Sequence, residues 1–225
     1  MPWPSRRWPH SWLKPVNRSA SLDSPEQSEL FEREAVPAIT GLAYTPDFLS
    51  KAEESELLTI IRGFALKEAQ YRQWQAHRRV ISFGGKYDFY ANNLLPADPI
   101  PPSLHPLRAR IAQWCGLDAA GFTHALIAEY RPGTKLGWHR DLPHFEVVVG
   151  VSLASQARMR LRPYAPAQSA RRTSIAFELA PRSIYTLQGP ARWDWQHAIC
   201  ATQALRYSLT FRSLSARGER ERRAC

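Results

Sequence analysis

The chain has 225 residues, a formal net charge of +10 and 44% hydrophobic residues, with eight Trp, nine Phe and eight Tyr. That is enough for one sizeable core with some chain to spare, and it excludes a wholly disordered polymer. No apolar run approaches the roughly 20 residues of a membrane span. Cys115, Cys200 and Cys225 lack the paired spacing of a disulfide framework or a zinc finger. The expectation is a monomer in a reducing, cytoplasmic setting, with no membrane partner. The basic balance favours a polyanionic partner such as nucleic acid.

Residues 1–35 differ in composition from the rest. They begin Met-Pro-Trp-Pro-Ser-Arg-Arg-Trp and lack the continuous apolar centre of a secretory signal. The expectation is a basic, partly ordered tail, with an arm of Arg6, Arg7, Trp8 and Trp12 touching nucleic acid as the sharper alternative. One domain is expected over 36–215. Within it, Ser50 and Glu53 have the spacing of a capping box, Leu57, Leu58 and Ile61 supply an apolar stripe, and Gly63 ends the helix. A second helix is read from Ser103 to Cys115, with Leu104, Leu107, Ile111 and Trp114 at helical spacing.

Between these helices, about 70–100, lies Arg78-Arg-Val-Ile-Ser-Phe-Gly-Gly-Lys-Tyr-Asp-Phe. Tyr87 and Phe89 are two apart beside Arg78, Arg79 and Lys86, which suits either a packed hairpin or stacking on a base. From Phe122 onward the chain reads as short strands: Phe122–Tyr130, Glu146–Leu153, Met159–Tyr164, Ser174–Leu179, Ser183–Leu187, Trp195–Ile199 and Leu205–Phe211. Many short strands with Gly and Pro between them indicate a β sandwich or barrel with flanking helices, an α+β domain that is mainly β. Arg158, Arg160 and Arg162 alternate with Met159 and Leu161, forming either a solvated face or a ridge that tracks phosphates. The ending, 216–225, mixes charges of both signs and reads as a frayed tail.

The chemistry gathers around Gly137-Trp-His-Arg-Asp141. On an extended backbone His139 and Asp141 leave from one face. His197 offers the third ligand of a two-histidine, one-carboxylate site, the arrangement of non-haem iron(II) oxygenases. Close behind it, Arg206, Ser208, Thr210 and Arg212 alternate with Tyr207, Leu209 and Phe211. That gives a strand with one cationic face, suited to a dicarboxylate co-substrate because guanidinium forks hold carboxylates bidentately. In this reading Arg206 grips the far carboxylate and Arg212 reaches back along the floor of the site. A competing local set, His139, Asp141 and His144, would make a zinc site for hydrolysis.

The run Leu126-Ile-Ala-Glu-Tyr-Arg-Pro-Gly133, His139-x-Asp141, His197 and Arg206 to Arg212, in that order, resembles the AlkB family of iron(II)- and 2-oxoglutarate-dependent dioxygenases over about residues 41–214. The resemblance implies a double-stranded β-helix (jelly roll) using Fe(II), 2-oxoglutarate and O2. It assigns iron to His139, Asp141 and His197, and 2-oxoglutarate to Tyr130 and Arg206, with Arg212 completing the signature. Ala128 and Ser208 stand where many members have Asn. Ser208 is kept in the co-substrate set, and binding shifts towards Tyr130 and the arginines. For substrate the resemblance points to Phe89 and Tyr87 on a lid over the base, and we add Arg78, Trp138 and Arg160. The implied activity is oxidative dealkylation of a base in single- or double-stranded DNA or RNA, with release of succinate, CO2 and an aldehyde. The alternatives are a protein-directed oxygenase and a catalytically silent nucleic-acid-binding module. Some members read the amino edge of the base with an acidic residue just after the metal-binding Asp; here Glu146 is the first carboxylate available. Ligation by neutral imidazoles implies that iron affinity falls in acid.

Overall fold

The computed structural model describes residues 36–71, 74–88, 93–164 and 174–224. The expected arm at residues 1–35, Phe89, and the pair Arg171 and Arg172 lie outside the described residues.

Thirteen strands and four helices are described: β1 (Leu42–Thr45), α1 (Lys51–Arg62), β2 (Lys67–Tyr71), β3 (Trp74–Phe83), β4 (Lys86–Asp88), β5 (Asn93–Leu95), α2 (His105–Cys115), β6 (Phe122–Tyr130), β7 (Leu136–His139), β8 (Phe145–Leu153), β9 (Ala157–Pro163), β10 (Ile175–Leu179), β11 (Ile184–Leu187), α3 (Gly189–Trp193), β12 (Trp195–Ile199), β13 (Arg206–Leu214) and α4 (Ala216–Ala224). A seven-stranded major sheet runs β1-β11-β8-β13-β6-β3-β2 and a four-stranded minor sheet runs β10-β9-β12-β7. From β6 to β13 the chain passes back and forth between the sheets, with antiparallel pairing throughout. This is the double-stranded β-helix that the resemblance implied.

Two cores follow from period-two alternation. Outward residues of the major sheet, among them Ile127, Val149, Val151, Leu209 and Phe211, pack with Leu57 and Ile61 of α1 and Leu107 and Ile111 of α2. Inward residues such as Val148, Tyr185 and Leu187 meet Met159, Leu161, Phe177 and Ile199 of the minor sheet. Helix α1 starts and stops where its sequence signals lie. Ser50 and Glu53 close a reciprocal capping box, and Glu53 also takes an ion pair from Arg110 of α2 at 2.7 Å. The second helix differs slightly from expectation. Residues Pro102–Leu104 form a 3-10 turn, and the α-helix begins at His105 with Pro106 in its first turn, where a missing N–H costs no hydrogen bond.

The C-terminal segment departs from its expectation. Instead of fraying, α4 docks on the domain: the Gly218 N–H donates to the Ser215 hydroxyl, and Glu221 pairs with buried His144 at 2.7 Å. No helix among the described residues is long and apolar enough to cross a membrane.

Candidate active site

Gly133, at φ 82°, turns β6 into the approach to β7. The turn is knitted to Thr202, whose hydroxyl donates to the Arg131 carbonyl and whose carbonyl accepts from the Gly133 N–H. This sets β7 beside β12, so that His139 and His197 become direct cross-strand partners with ring centroids 4.2 Å apart. Asp141, just past the end of β7, brings Oδ2 to 3.6 Å from His197 Nε2. One donor atom from each of His139, Asp141 and His197 lies within 4.8 Å of the others, and they are the only such group of three among the described residues.

The protonation states suit a cation. Burial drives the His197 imidazole down to about 3, with His139 adding to the effect and Asp141 opposing it. Burial likewise lowers His139, against the pull of Asp141. The Gly137 carbonyl lies 2.9 Å from His139 Nδ1, so Nδ1 carries the proton and Nε2 keeps its lone pair. Burial alone would raise Asp141. Arg212, both imidazoles and Arg192 together outweigh it and hold the carboxyl below its usual range. Two neutral imidazoles and one ionised carboxylate are the donor set that a divalent first-row metal takes.

Beside them lies the cationic face of β13, buried inside the barrel rather than turned to solvent. Arg206 is 1% exposed. Its Nε donates to the Ser152 hydroxyl at 3.0 Å and its guanidinium sits 5.0 Å from the Tyr130 ring centroid. Its NH1, fully buried, has no hydrogen-bond partner among the described residues. A buried guanidinium nitrogen left open calls for an anionic acceptor, and a carboxylate of 2-oxoglutarate fits that need. Arg78 adds a second cation at the Tyr130 hydroxyl, 3.5 Å away.

Arg212, expected to reach back along the floor of the site, lies against Asp141. Its Nε and NH2 both donate to Asp141 Oδ1 at 3.3 Å, and NH1 donates to His124 Nδ1 at 3.4 Å. Its hydrogen bonds therefore hold the candidate ligand carboxylate. Ser208 faces Ala128 across one ladder and Ser152 across the other. The two departures from the family pattern are thus neighbours, and small side chains line that wall together.

Several sequence candidates fall elsewhere. His144 is not drawn to Asp141: its Nε2 is taken by Glu221 and its ring lies 5.7 Å from Tyr87, so the local zinc set does not form. That tilted ring contact makes Tyr87 part of the packing around α4. Trp138 and Arg160 project from the outer face of the minor sheet, because each is one residue out of phase with the inward His139 and Leu161. Glu146 accepts from the Trp193 indole at 3.1 Å.

Sequence reasoning missed four contributors. Ser152 orients Arg206, and Tyr185 is a buried phenol within electrostatic reach of Arg206. His124 backs Arg212. Fully buried Arg192 donates to the carbonyls of Asp141 and Leu142 and so pins the segment carrying the carboxylate. Of these, only Arg192 left a trace in the sequence, as the one cation between Arg182 and His197.

The sequence matches the 2OG-Fe(II) oxygenase superfamily over residues 41–212. This chain belongs to that superfamily. The oxygenase is 28% identical over 182 residues to a protein of Arabidopsis thaliana named alkylated DNA repair protein ALKBH8 homolog, covering 72% of this chain and 51% of that one. It therefore spans about half the length of that relative. It is 25% identical over 182 residues to uncharacterized protein L905 of Acanthamoeba polyphaga mimivirus, covering 76% and 79% of the two chains. Among solved structures it superposes on OsALKBH1 with a TM-score of 0.58 at 16% identity, covering 77% of this chain and 96% of that one. A Trichoplax adhaerens prolyl hydroxylase gives 0.55 at 14% identity, covering 82% and 86%. These structural likenesses show the jelly-roll fold. The family match makes the chain a dioxygenase dependent on Fe(II), 2-oxoglutarate and O2, and AlkB homologues are among the proteins it is similar to.

Proposed function

We propose that this oxygenase removes an alkyl group from a nucleic-acid base. The observation that carries the reading is a cation of β3, Arg78, at the edge of the site. Arg78 reaches the Tyr130 hydroxyl from β3 and acts electrostatically on His139, in a chain of net charge +10. A polyanionic substrate presented at that edge meets cations next to the reacting centre. The Arabidopsis relative, whose name is that of an alkylated DNA repair protein, supports the same class.

In this reading His139, Asp141 and His197 hold iron(II), while Arg206 and Tyr130 hold 2-oxoglutarate. With iron and co-substrate bound there, the chemistry supplied would be oxidative decarboxylation of 2-oxoglutarate to succinate and CO2 coupled to hydroxylation of a substrate C–H bond, each product taking one oxygen of O2. The protein's own residues do the positioning. The Gly137 carbonyl keeps the proton on His139 Nδ1, Arg212 keeps Asp141 ionised, and Ser152 aims the Arg206 fork. Burial of these groups inside the barrel excludes bulk water from the reacting centre. An N–CH3 group becomes N–CH2OH; the C–N bond then breaks, nitrogen takes the proton and formaldehyde leaves.

The test is turnover of purified protein with Fe(II), ascorbate, 2-oxoglutarate and a panel of methylated DNA and RNA oligonucleotides, read as aldehyde and succinate by mass spectrometry. Aldehyde release on at least one oligonucleotide, lost by more than about a hundredfold in His139→Ala, is expected. Oligonucleotide binding with no aldehyde from any panel member overturns the reading, as does succinate release coupled only to a peptide.

A further inference from the structure

The outer face of the minor sheet carries a set of cations and rings that the site does not use. Along β9 the inward Met159 and Leu161 are buried, and Arg158, Arg160 and Arg162 point the other way. From β7 the Trp138 ring joins them, 4.3 Å from the Arg162 guanidinium carbon and 5.1 Å from that of Arg160. Because β12 lies between β9 and β7, both arginines cross the sheet to reach the ring. Ala198, opposite Arg160 on β12, is consequently only 7% exposed although it faces outward. Beside this group the Arg140 guanidinium lies 3.6 Å from the ring centroid of Tyr164, which is 50% exposed.

Four guanidinium groups thus share one open sheet face. Acidic side chains sit at its margins: Glu178 pairs with Arg158 at 3.4 Å, and exposed Asp194 lies at the end of β12. Arg160 donates to the Ser174 hydroxyl and Arg162 to the Gln196 amide oxygen. Stacking on the rings fixes the arginine stems and leaves the forks spread over the face. No acidic residue occurs in the sequence from 147 to 177. Like charges held together in this way repel, and a polyanion laid across them removes that cost.

We propose that this face binds the phosphate backbone of a nucleic-acid strand, as an exosite on the opposite side of the sheet from His139 and His197. The inference rests on the nucleic-acid reading above for its partner and not for its chemistry. Its contacts are to phosphates, so it adds affinity without sequence preference and is strongly sensitive to salt. Trp138 and Arg160 belong to this exosite, and the base itself does not meet them.

The test uses the full chain and an unmodified, fluorescein-labelled 20-nucleotide single strand, followed by anisotropy across a salt series. Arg160→Gln/Arg162→Gln is expected to weaken binding roughly tenfold or more. Two lost phosphate contacts lower the slope of log affinity against log salt by about 1.4, at about 0.7 each on a single strand. Arg160→Lys/Arg162→Lys retains most of the slope. The upward thermal shift given by Mn(II) with 2-oxoglutarate reports that each variant is folded. Unchanged affinity and slope in the glutamine variant overturn the exosite while leaving dealkylation intact. Displacement of the strand by polyglutamate of equal charge, as readily as by unlabelled strand, overturns the assignment to nucleic acid. Weakened binding supports the exosite whether or not the wild type releases aldehyde.

Discussion

Arg206 is a full positive charge at 1% exposure, with one guanidinium nitrogen unsatisfied among the described residues. Such a group is costly unless an anion completes it, and in the proposed function the co-substrate is that anion. Arg206→Lys keeps the charge and loses both the fork and the bond to Ser152; 2-oxoglutarate affinity is expected to fall about tenfold to a hundredfold by calorimetry. Gly150 makes a second point at this scale. A Cβ there would meet the Tyr185 ring at 2.3 Å, so the phenol lies flat across β8 only because that strand has no side chain at this position. Gly150→Ala should push the ring out of place and lower stability by roughly 1–3 kcal/mol in urea unfolding, with weaker 2-oxoglutarate binding. Period-two alternation made Arg206 visible as one of a cationic set. Ser152 and Tyr185 were invisible, because they come from β8 and β11 and nothing local marks them as neighbours of β13.

The helices and strands were legible wherever the signal is local. Capping chemistry at Ser50 and alternation from Phe122 to Tyr130 need only adjacent residues, and both elements have the bounds these signals give. Helix α4 shows the opposite case. Ala-Arg-Gly-Glu-Arg-Glu-Arg-Arg has no apolar stripe, and what docks it is a glycine and a partner from far away. A Cβ on Gly218 would lie 2.3 Å from the His144 carbonyl oxygen, so the helix touches the backbone of that segment directly. Gly218→Ala is expected to lift α4 and cost about 1–3 kcal/mol, checked by hydrogen exchange over 216–224 and by thermal unfolding. Trp138 and Arg160 teach a related lesson. Their sequence neighbours face the barrel, and with a period of two that puts these two outside.

At the scale of the molecule, the barrel encloses polar groups beside its apolar core, and burial keeps His124, His139 and His197 neutral. Burial, reinforced by Arg212, carries His124 down to about 3, and burial with His139 carries His197 to a similar value. Arg212 only donates, so His124 accepts at Nδ1 and donates from Nε2 to the Gly85 carbonyl, 2.9 Å away. The unfolded chain binds these protons near pH 6.5 and the folded one only near 3, so stability is complete above 6.5 and falls as the pH is lowered through that window. Each such histidine contributes up to about 1.4 kcal/mol per pH unit. The urea midpoint of the metal-free protein should therefore drop between pH 7.5 and pH 5, and a midpoint unchanged over that range would contradict the neutral buried state. Local chemistry, written in caps, alternation and the order of a few motifs, set the strands, the helices and the types of side chain available for iron and 2-oxoglutarate. Which of these side chains meet was decided by the jelly roll, because only the pairing of β7 with β12 and of β13 with β6 and β8 joins residues tens of positions apart. The same topology turned the arginines of β13 inward and those of β9 outward, a choice of face that alternation alone leaves open.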